Sequence, residues 1–175
     1  MQSGWRRAPL FLYFGAMSIP AMLLPAILSY FSDDHATARP FLYGAVLTGF
    51  AVAVLGLALI NRTPRVTARS HLLALIGTYV FLPIWLAVPL IVAVPTLTPV
   101  VGYLEMVSSL TTTGLPLIDP PDSVPLAVHL YRGVVGWLGG FMILLAAAAI
   151  MAPLNIGGFE IRSVIHGNQP GEGWI

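Results

Sequence analysis

The stretch with the clearest chemical potential is residues 108–115, which read Ser-Ser-Leu-Thr-Thr-Thr-Gly-Leu between long apolar segments. Before it, residues 99–110 have the pattern of a helix of only about 18 Å, whereas the hydrocarbon core of a bilayer is roughly 30 Å thick. In a loop of this kind, backbone carbonyls replace the water shell of a cation, and glycine permits the turn. The pattern therefore predicts a re-entrant pore helix followed by a cation filter. The candidate filter residues are Thr111, Thr112, Thr113 and Gly114.

The start of the short helix is indicated by Thr98 followed by Pro99, which is typical of an N-cap and a first helical residue. A helix that begins there and enters the membrane points its carbonyl end, the negative end of its dipole, at the membrane centre. A cation at that end is stabilised. The alternative is an amphipathic surface helix followed by a polar loop, since half-spans of this length have several fates.

The composition is that of a membrane protein. Hydrophobic residues make up 57% of the chain, charged residues 9%, and the mean hydropathy is +0.86, whereas soluble domains carry about 25% charged residues. We predict an all-α polytopic protein with four transmembrane helices plus one re-entrant pore helix and filter loop. The predicted spans are residues 9–31, 41–60, 71–94 and 128–154. The chain has no cysteine, which excludes disulfides and thiolate metal sites, and its net charge of +1 gives no basis for a nucleic-acid partner.

The arginine distribution predicts the orientation in the bilayer. Arg6 and Arg7 precede the first span, and the 61–70 connection carries three further arginines. Residues 94–127 contain no basic residue. Both termini and the 61–70 connection are therefore predicted to lie in the cytoplasm, and the filter loop on the outer side.

Glycines on the fourth span are candidates for packing against the pore loop. Gly133, Gly136 and Gly140 share one helix face, and Gly136 and Gly140 form a G-x-x-x-G pair that lets another backbone approach closely. Two interpretations remain open from this motif alone. The helix packs tightly behind the pore loop, or the glycines serve ordinary helix packing.

Two charged residues are candidates for bracing the loop. Arg132 lies in the fourth span, where an ionisable group indicates a functional site by default, although its outward position also allows snorkelling to the interface. Glu105 lies in the middle of the short helix. It either accepts hydrogen bonds from the loop or pairs with Arg132, and a role as direct cation ligand is disfavoured because filters of this kind mostly use carbonyls.

Three segments in a fixed order resemble a known family. They are Glu-Met-Val-Ser-Ser-Leu-Thr-Thr-Thr-Gly at 105–114, Tyr-Arg-Gly-Val-Val-Gly-Trp-Leu-Gly-Gly-Phe-Met-Ile at 131–143, and Ala-Ile-Met-Ala-Pro-Leu-Asn-Ile-Gly-Gly-Phe-Glu at 149–160. The chain resembles the N-terminal part of the pore subunit of bacterial Trk potassium-uptake systems, within the Trk/Ktr/HKT cation transporter superfamily.

The resemblance implies a division of the chain and a function. Residues 1–69 correspond to two leading transmembrane helices and a cytoplasmic loop, 70–154 to the first of four helix–pore loop–helix repeats, and 155–175 to a cytoplasmic tail. The implied function is potassium uptake across the bacterial cytoplasmic (inner) membrane. K⁺ is the transported ion, held at the filter, and Gly114 favours potassium over sodium by resemblance. The implied partners are the remaining repeats or further copies of this chain, a cytosolic nucleotide-binding regulatory subunit, and the lipid bilayer.

The sequence departs from that family after Leu154, because no second Thr-Gly filter and no further repeat appear there. We expect a fragment of a longer subunit, a truncated gene product, or one protomer of a self-assembled ring. A non-conducting accessory or assembly protein derived from a truncated transporter is the alternative. An enzyme using Asp33, Asp34 and His35 is disfavoured, because no nucleophile–base pair or metal cluster accompanies them, and no enzymatic activity is predicted. These acidic residues more simply mark a turn, and either could cap the second span.

Overall fold

The structure, a computed structural model, describes residues 10–59, 68–118 and 123–151. The predicted tail at 155–175 lies outside these residues. The described helices, in chain order, are α1 (Leu10–Phe31), α2 (His35–Leu59), α3 (Ala68–Ala93), α4 (Pro99–Leu110) and α5 (Leu126–Met151). All except α4 contain a stretch long and apolar enough to cross a membrane. The prediction of an all-α polytopic membrane protein is confirmed.

Three helices begin earlier than predicted. α2 begins at His35 rather than residue 41, α3 at Ala68 rather than 71, and α5 at Leu126 rather than 128. The earlier start of α2 has a local cause, since Asp34 Oδ1 accepts a hydrogen bond from the Thr37 N–H at 3.1 Å and so caps the helix. Asp33 has a φ of 57° and forms the turn before it. The acidic pair therefore acts as a turn and an N-cap, and no metal-binding cluster of His, Asp and Glu occurs among the described residues.

Helix α3 contacts each of the other four described helices, and α1 contacts α2, α3 and α5. The half-helix α4 packs between α3 and α5. The largest fully buried apolar side chains, which form the core between these helices, include Phe14, Met22, Phe41, Leu86, Leu90, Tyr131, Leu138 and Met142. Outside this core the helices are apolar as well, with Phe50 69% and Leu57 70% exposed on α2. Large exposed apolar surfaces of this kind are compatible with lipid rather than water.

Tyrosine 131 holds α5 in place against two other helices. Its side chain is fully buried, and its ring lies 4.8 Å from that of Phe41 on α2. The Tyr131 hydroxyl donates to the Leu86 carbonyl on α3 at 2.8 Å. Leu86 lies within one turn of Pro89, which has no N–H to donate to the carbonyl of Trp85, the residue before Leu86. The hydrogen bond from Tyr131 therefore joins α5 to α3 beside this proline.

Cysteine labelling tests the predicted orientation. Because the chain has no native cysteine, Ser32→Cys in the exposed turn after α1 and Thr67→Cys in the arginine-rich connection give unique labels. In intact cells an impermeant maleimide should react with Cys at position 32 and not at position 67, and both should react after the membrane is permeabilised. Labelling of position 67 from outside would reverse the orientation.

Candidate functional site

The half-helix α4 begins with the predicted cap. Thr98 has an extended backbone (φ −72°, ψ 152°), its hydroxyl oxygen accepts from the Val101 N–H at 3.4 Å, and Pro99 is the first helical residue. Three side chains in its second half, those of Glu105, Met106 and Leu110, are all at 0% exposure. The helix therefore runs from an exposed start into the interior between α3 and α5. This placement differs from that of an amphipathic helix lying on the surface.

The candidate filter loop folds back onto the end of α4. The backbone N–H groups of residues 111–114 all donate to carbonyl oxygens of residues 107–109, over distances of 2.9–3.2 Å. Thr112 (φ 57°) and Gly114 (φ 69°) adopt left-handed backbone conformations. Glycine accepts that conformation freely, whereas for threonine it is uncommon and costs energy. Residues 111–114 are all exposed.

The Ser108 side chain binds the backbone directly after the filter loop. Its hydroxyl accepts from the Leu115 N–H at 2.7 Å and donates to the Leu115 carbonyl at 3.2 Å. Ser108 is not among the site residues predicted from the sequence. The signal available is its place in a Ser-Ser pair one turn before the threonines, but a serine there also fits a generic helix end.

Glu105 makes both of the contacts that the sequence left open. One carboxylate oxygen, Oε2, accepts from the Leu117 N–H at 3.0 Å, beyond the filter loop. The other, Oε1, forms an ion pair with Arg132 Nε, and the side chains of Glu105 and Arg132 are 0% and 18% exposed. The pair ties α5, α4 and the segment after the loop together. Both carboxylate oxygens of Glu105 thus have partners, Oε2 the Leu117 N–H and Oε1 the ion pair with Arg132.

The glycine face of α5 lies against the end of α4, but its closest contact is at a glycine that was not predicted from the sequence. A Cβ added to Gly139 would overlap with the backbone of Leu110, including its carbonyl oxygen. A Cβ at Gly136 would lie 3.4 Å from the Ser109 carbonyl oxygen, and one at Gly140 would lie 3.8 Å from Thr112 Cγ2. Gly133 has no such neighbour within 4 Å. The face that packs behind the loop is therefore Gly136, Gly139 and Gly140.

A second contact fixes the same region of α5. The Tyr79 hydroxyl on α3 donates to the Gly139 carbonyl at 3.3 Å. The backbone of α5 at Gly139 is thus packed by α4 on one face and hydrogen-bonded to α3. Close backbone approach at small residues is the usual way in which helices associate in membranes. Together these contacts hold the end of α4, and the loop after it, in one position.

Comparison with known proteins gives partial matches. The chain is 39% identical over 67 residues to the Trk system potassium uptake protein TrkH of Escherichia coli K12, which covers 38% of this chain and 14% of that protein. It is 32% identical over 75 residues to TrkI of Halomonas elongata, covering 43% and 15%. With TrkG of E. coli K12 the identity is 32% over 92 residues, covering 49% and 19%. No protein-family model and no solved structure matches the chain.

The matches cover only a small part of each relative, between 14% and 19% of its length. All three relatives are named as potassium uptake proteins and none as an enzyme. This agrees with the prediction that the chain is not an enzyme. Several relatives with this one description are matched at 32–40% identity. Over the matched part, the chain is related to Trk-type potassium uptake proteins.

Proposed function

We propose that this chain takes part in potassium uptake as the first repeat of a Trk-type pore, and that the carbonyl oxygens of Thr111, Thr112, Thr113 and Gly114 form one quarter of its filter. The observation that carries the proposal is that every backbone N–H group of residues 111–114 donates a hydrogen bond to a carbonyl at the end of α4. The carbonyls are then the backbone groups of the loop that remain to replace the water shell of a cation.

The electrostatics of α4 support the same assignment. The helix directs its carbonyl end toward the loop, and that end carries the negative part of the helix dipole. The carboxylate of Glu105 lies behind the loop and is balanced by Arg132. A potassium ion at the loop would therefore meet neutral carbonyls and a partial negative charge, without a fixed carboxylate that would hold it too tightly. Conduction requires binding that is weak enough for the ion to leave.

One loop surrounds only part of an ion, so the proposal requires partners. The remaining three quarters come from further repeats of the same subunit or from further copies of this chain. By the same resemblance, residues 1–69 form the leading helices, 70–154 the repeat and 155–175 the cytoplasmic tail. The site of action is the bacterial cytoplasmic membrane with both termini inside, and a cytosolic nucleotide-binding subunit is the regulatory partner. The 175-residue chain alone should conduct only if it forms a tetramer.

The experiment that tests this function uses a chimaera in which this chain replaces the corresponding segment of E. coli TrkH. The chimaera is expressed in cells that lack their own potassium uptake, and growth at low potassium and rubidium uptake are measured. The starting chimaera should restore both. Gly114→Ser should reduce uptake because a side chain at φ 69° costs about 1–2 kcal/mol in the loop backbone.

Thr112→Ala is the matched comparison within the same loop. It keeps the carbonyl and removes the hydroxyl together with the γ-methyl group, so it should have a smaller effect than Gly114→Ser if the backbone is the ligand. A chimaera that folds and inserts but restores no growth would favour the non-conducting accessory protein. Equal uptake in all variants would contradict the filter assignment.

A further inference from the structure

Ser108, in the last turn of α4, binds the filter loop through both its carbonyl and its hydroxyl. Its carbonyl oxygen accepts from the N–H groups of Thr113 and Gly114, at 2.9 and 3.2 Å. Its hydroxyl oxygen accepts from the Leu115 N–H at 2.7 Å and donates to the Leu115 carbonyl at 3.2 Å. The N–H groups of residues 113–115 are therefore all held by one residue of α4.

These hydrogen bonds also set the directions of the loop carbonyls. A peptide unit is planar and, before a residue other than proline, almost always trans, so its N–H and its carbonyl point in opposite directions. The Leu115 N–H and the Gly114 carbonyl belong to one such unit. Because the Leu115 N–H points at the Ser108 hydroxyl, the Gly114 carbonyl points away from the Ser108 side chain.

The Gly114 carbonyl differs from the other carbonyls of the filter loop in the group that orients it. The carbonyls of residues 111–113 share their peptide units with N–H groups that donate to the backbone carbonyls of Ser108 and Ser109. A substitution does not remove those acceptors. The unit that carries the Gly114 carbonyl is held by a side chain instead, and it follows a glycine, whose backbone rotates freely once released.

The same hydroxyl orients the next carbonyl in the opposite sense. The Leu115 carbonyl accepts from the Ser108 hydroxyl and is therefore turned back toward α4. The residue that follows is Pro116, which has no N–H through which a backbone acceptor could orient that unit. Ser108 is only 8% exposed, so water competes little for its hydroxyl. One side chain thus separates the Gly114 carbonyl, directed away from it, from the Leu115 carbonyl, directed toward it.

We propose that Ser108 is a positioning residue of the filter. Its hydroxyl fixes the Gly114 carbonyl as the last ion ligand of the loop and withholds the Leu115 carbonyl, while Ser108 itself touches no ion. The inference rests on the function proposed above and adds the side chain that maintains ion preference at Gly114. Once the 114–115 unit is free to turn, the number of carbonyls that meet the ion is no longer fixed, and discrimination between potassium and sodium falls.

The test measures the ratio of potassium to sodium permeability in the reconstituted TrkH chimaera with Ser108→Ala. This change removes the hydroxyl and keeps the Ser108 carbonyl that holds Thr113 and Gly114. The ratio should fall about fivefold or more, the equilibrium factor that one ordinary hydrogen bond represents. Ser108→Thr restores a hydroxyl at the same position and should retain most of the ratio. An equal fall in Ser108→Thr would overturn the proposal.

Ser109→Ala is the matched control at the next position. Ser109 is 7% exposed, and within the described structure its hydroxyl makes no hydrogen bond to residues 111–115. The change keeps the Ser109 carbonyl that accepts from the Thr112 N–H. The permeability ratio should therefore stay near that of the starting chimaera. An equal fall in both alanine variants would indicate a general loss of packing at the end of α4 and would refute the role of the Ser108 hydroxyl.

Hydrogen exchange at the Leu115 amide gives a readout that does not require conduction. It is measured by NMR on the full 175-residue chain in micelles. Exchange at Leu115 should be about fivefold faster or more in Ser108→Ala and unchanged in Ser109→Ala. If the Ser108→Ala chimaera fails to assemble, this measurement decides, and unchanged exchange at Leu115 would refute the proposal.

Gly114→Ser in the same chimaera separates failure of this inference from failure of the filter assignment. If Gly114→Ser lowers the permeability ratio and Ser108→Ala does not, the positioning role is wrong and the filter assignment stands. If neither variant lowers the ratio, the filter assignment fails and the positioning role fails with it. A fall in both variants, with Ser109→Ala unchanged, is the result that the proposal predicts.

Discussion

Gly139→Ala should destabilise the folded protein by about 3 kcal/mol or more. The added Cβ would overlap with the Leu110 carbonyl group, and this obstacle is backbone that cannot rotate away. Relief requires α4 to separate from α5, which also disturbs the Tyr79–Gly139 hydrogen bond. The measurement is unfolding of the purified protein in mixed micelles, followed by circular dichroism.

Gly133→Ala and Gly140→Ala are the matched controls on the same helix. A Cβ at Gly133 meets nothing within 4 Å, and one at Gly140 makes an ordinary contact at 3.8 Å. Both should be neutral or should stabilise the helix by up to about 1 kcal/mol, since alanine is the better helix former. Similar stability for all three variants would show that α5 does not touch α4 at Gly139.

Arg132→Met should destabilise the protein by about 3–5 kcal/mol, because it leaves the fully buried carboxylate of Glu105 without its partner. Glu105→Gln should cost less, about 1–2 kcal/mol, for two reasons. The amide oxygen can still accept from the Leu117 N–H, and the partly exposed Arg132 can extend toward the interface.

The double variant measures the interaction between the side chains of Glu105 and Arg132. Adding Glu105→Gln to Arg132→Met removes the unpaired charge, so the double variant should be more stable than Arg132→Met alone. The coupling energy from the cycle should be about 2 kcal/mol. Additive losses in micelle unfolding would mean that the two side chains do not interact in the membrane.

The parts of this site that could be predicted from sequence are those with local causes. The cap at Thr98 is recognisable from two adjacent residues, Thr98 and Pro99. The start of α4 is marked by Pro99, and its end by the threonines after Leu110. Asp34 is recognisable as a candidate cap, but Arg39 and Pro40 are typical of a loop, and the predicted start of α2 is therefore too late. α2 instead begins directly after the Asp34 cap and includes both residues.

The parts that could not be predicted depend on contacts between distant elements. Gly136, Gly139 and Gly140 all lie within about one turn, and the sequence does not say which backbone approaches which glycine. The G-x-x-x-G spacing favours Gly136 and Gly140, whereas the crossing of α4 and α5 places Leu110 at Gly139. The bond from Tyr131 to the Leu86 carbonyl similarly joins residues 45 positions apart. Such choices are fixed by packing geometry, which periodicity does not encode.

The central claim, that the loop from Thr111 to Gly114 discriminates between cations, is tested most directly by the ratio of potassium to sodium permeability. The TrkH chimaera is reconstituted, and the ratio is measured with Gly at position 114, with Gly114→Ser, and with Gly133→Ser as a control on α5. A Cβ at Gly114 meets no atom within 4 Å, so the serine should alter the backbone conformation of the loop and not its packing. The ratio should fall about tenfold or more in Gly114→Ser, where φ is 69°, and remain unchanged in Gly133→Ser. A conducting Gly114→Ser pore with its potassium preference intact would contradict the account.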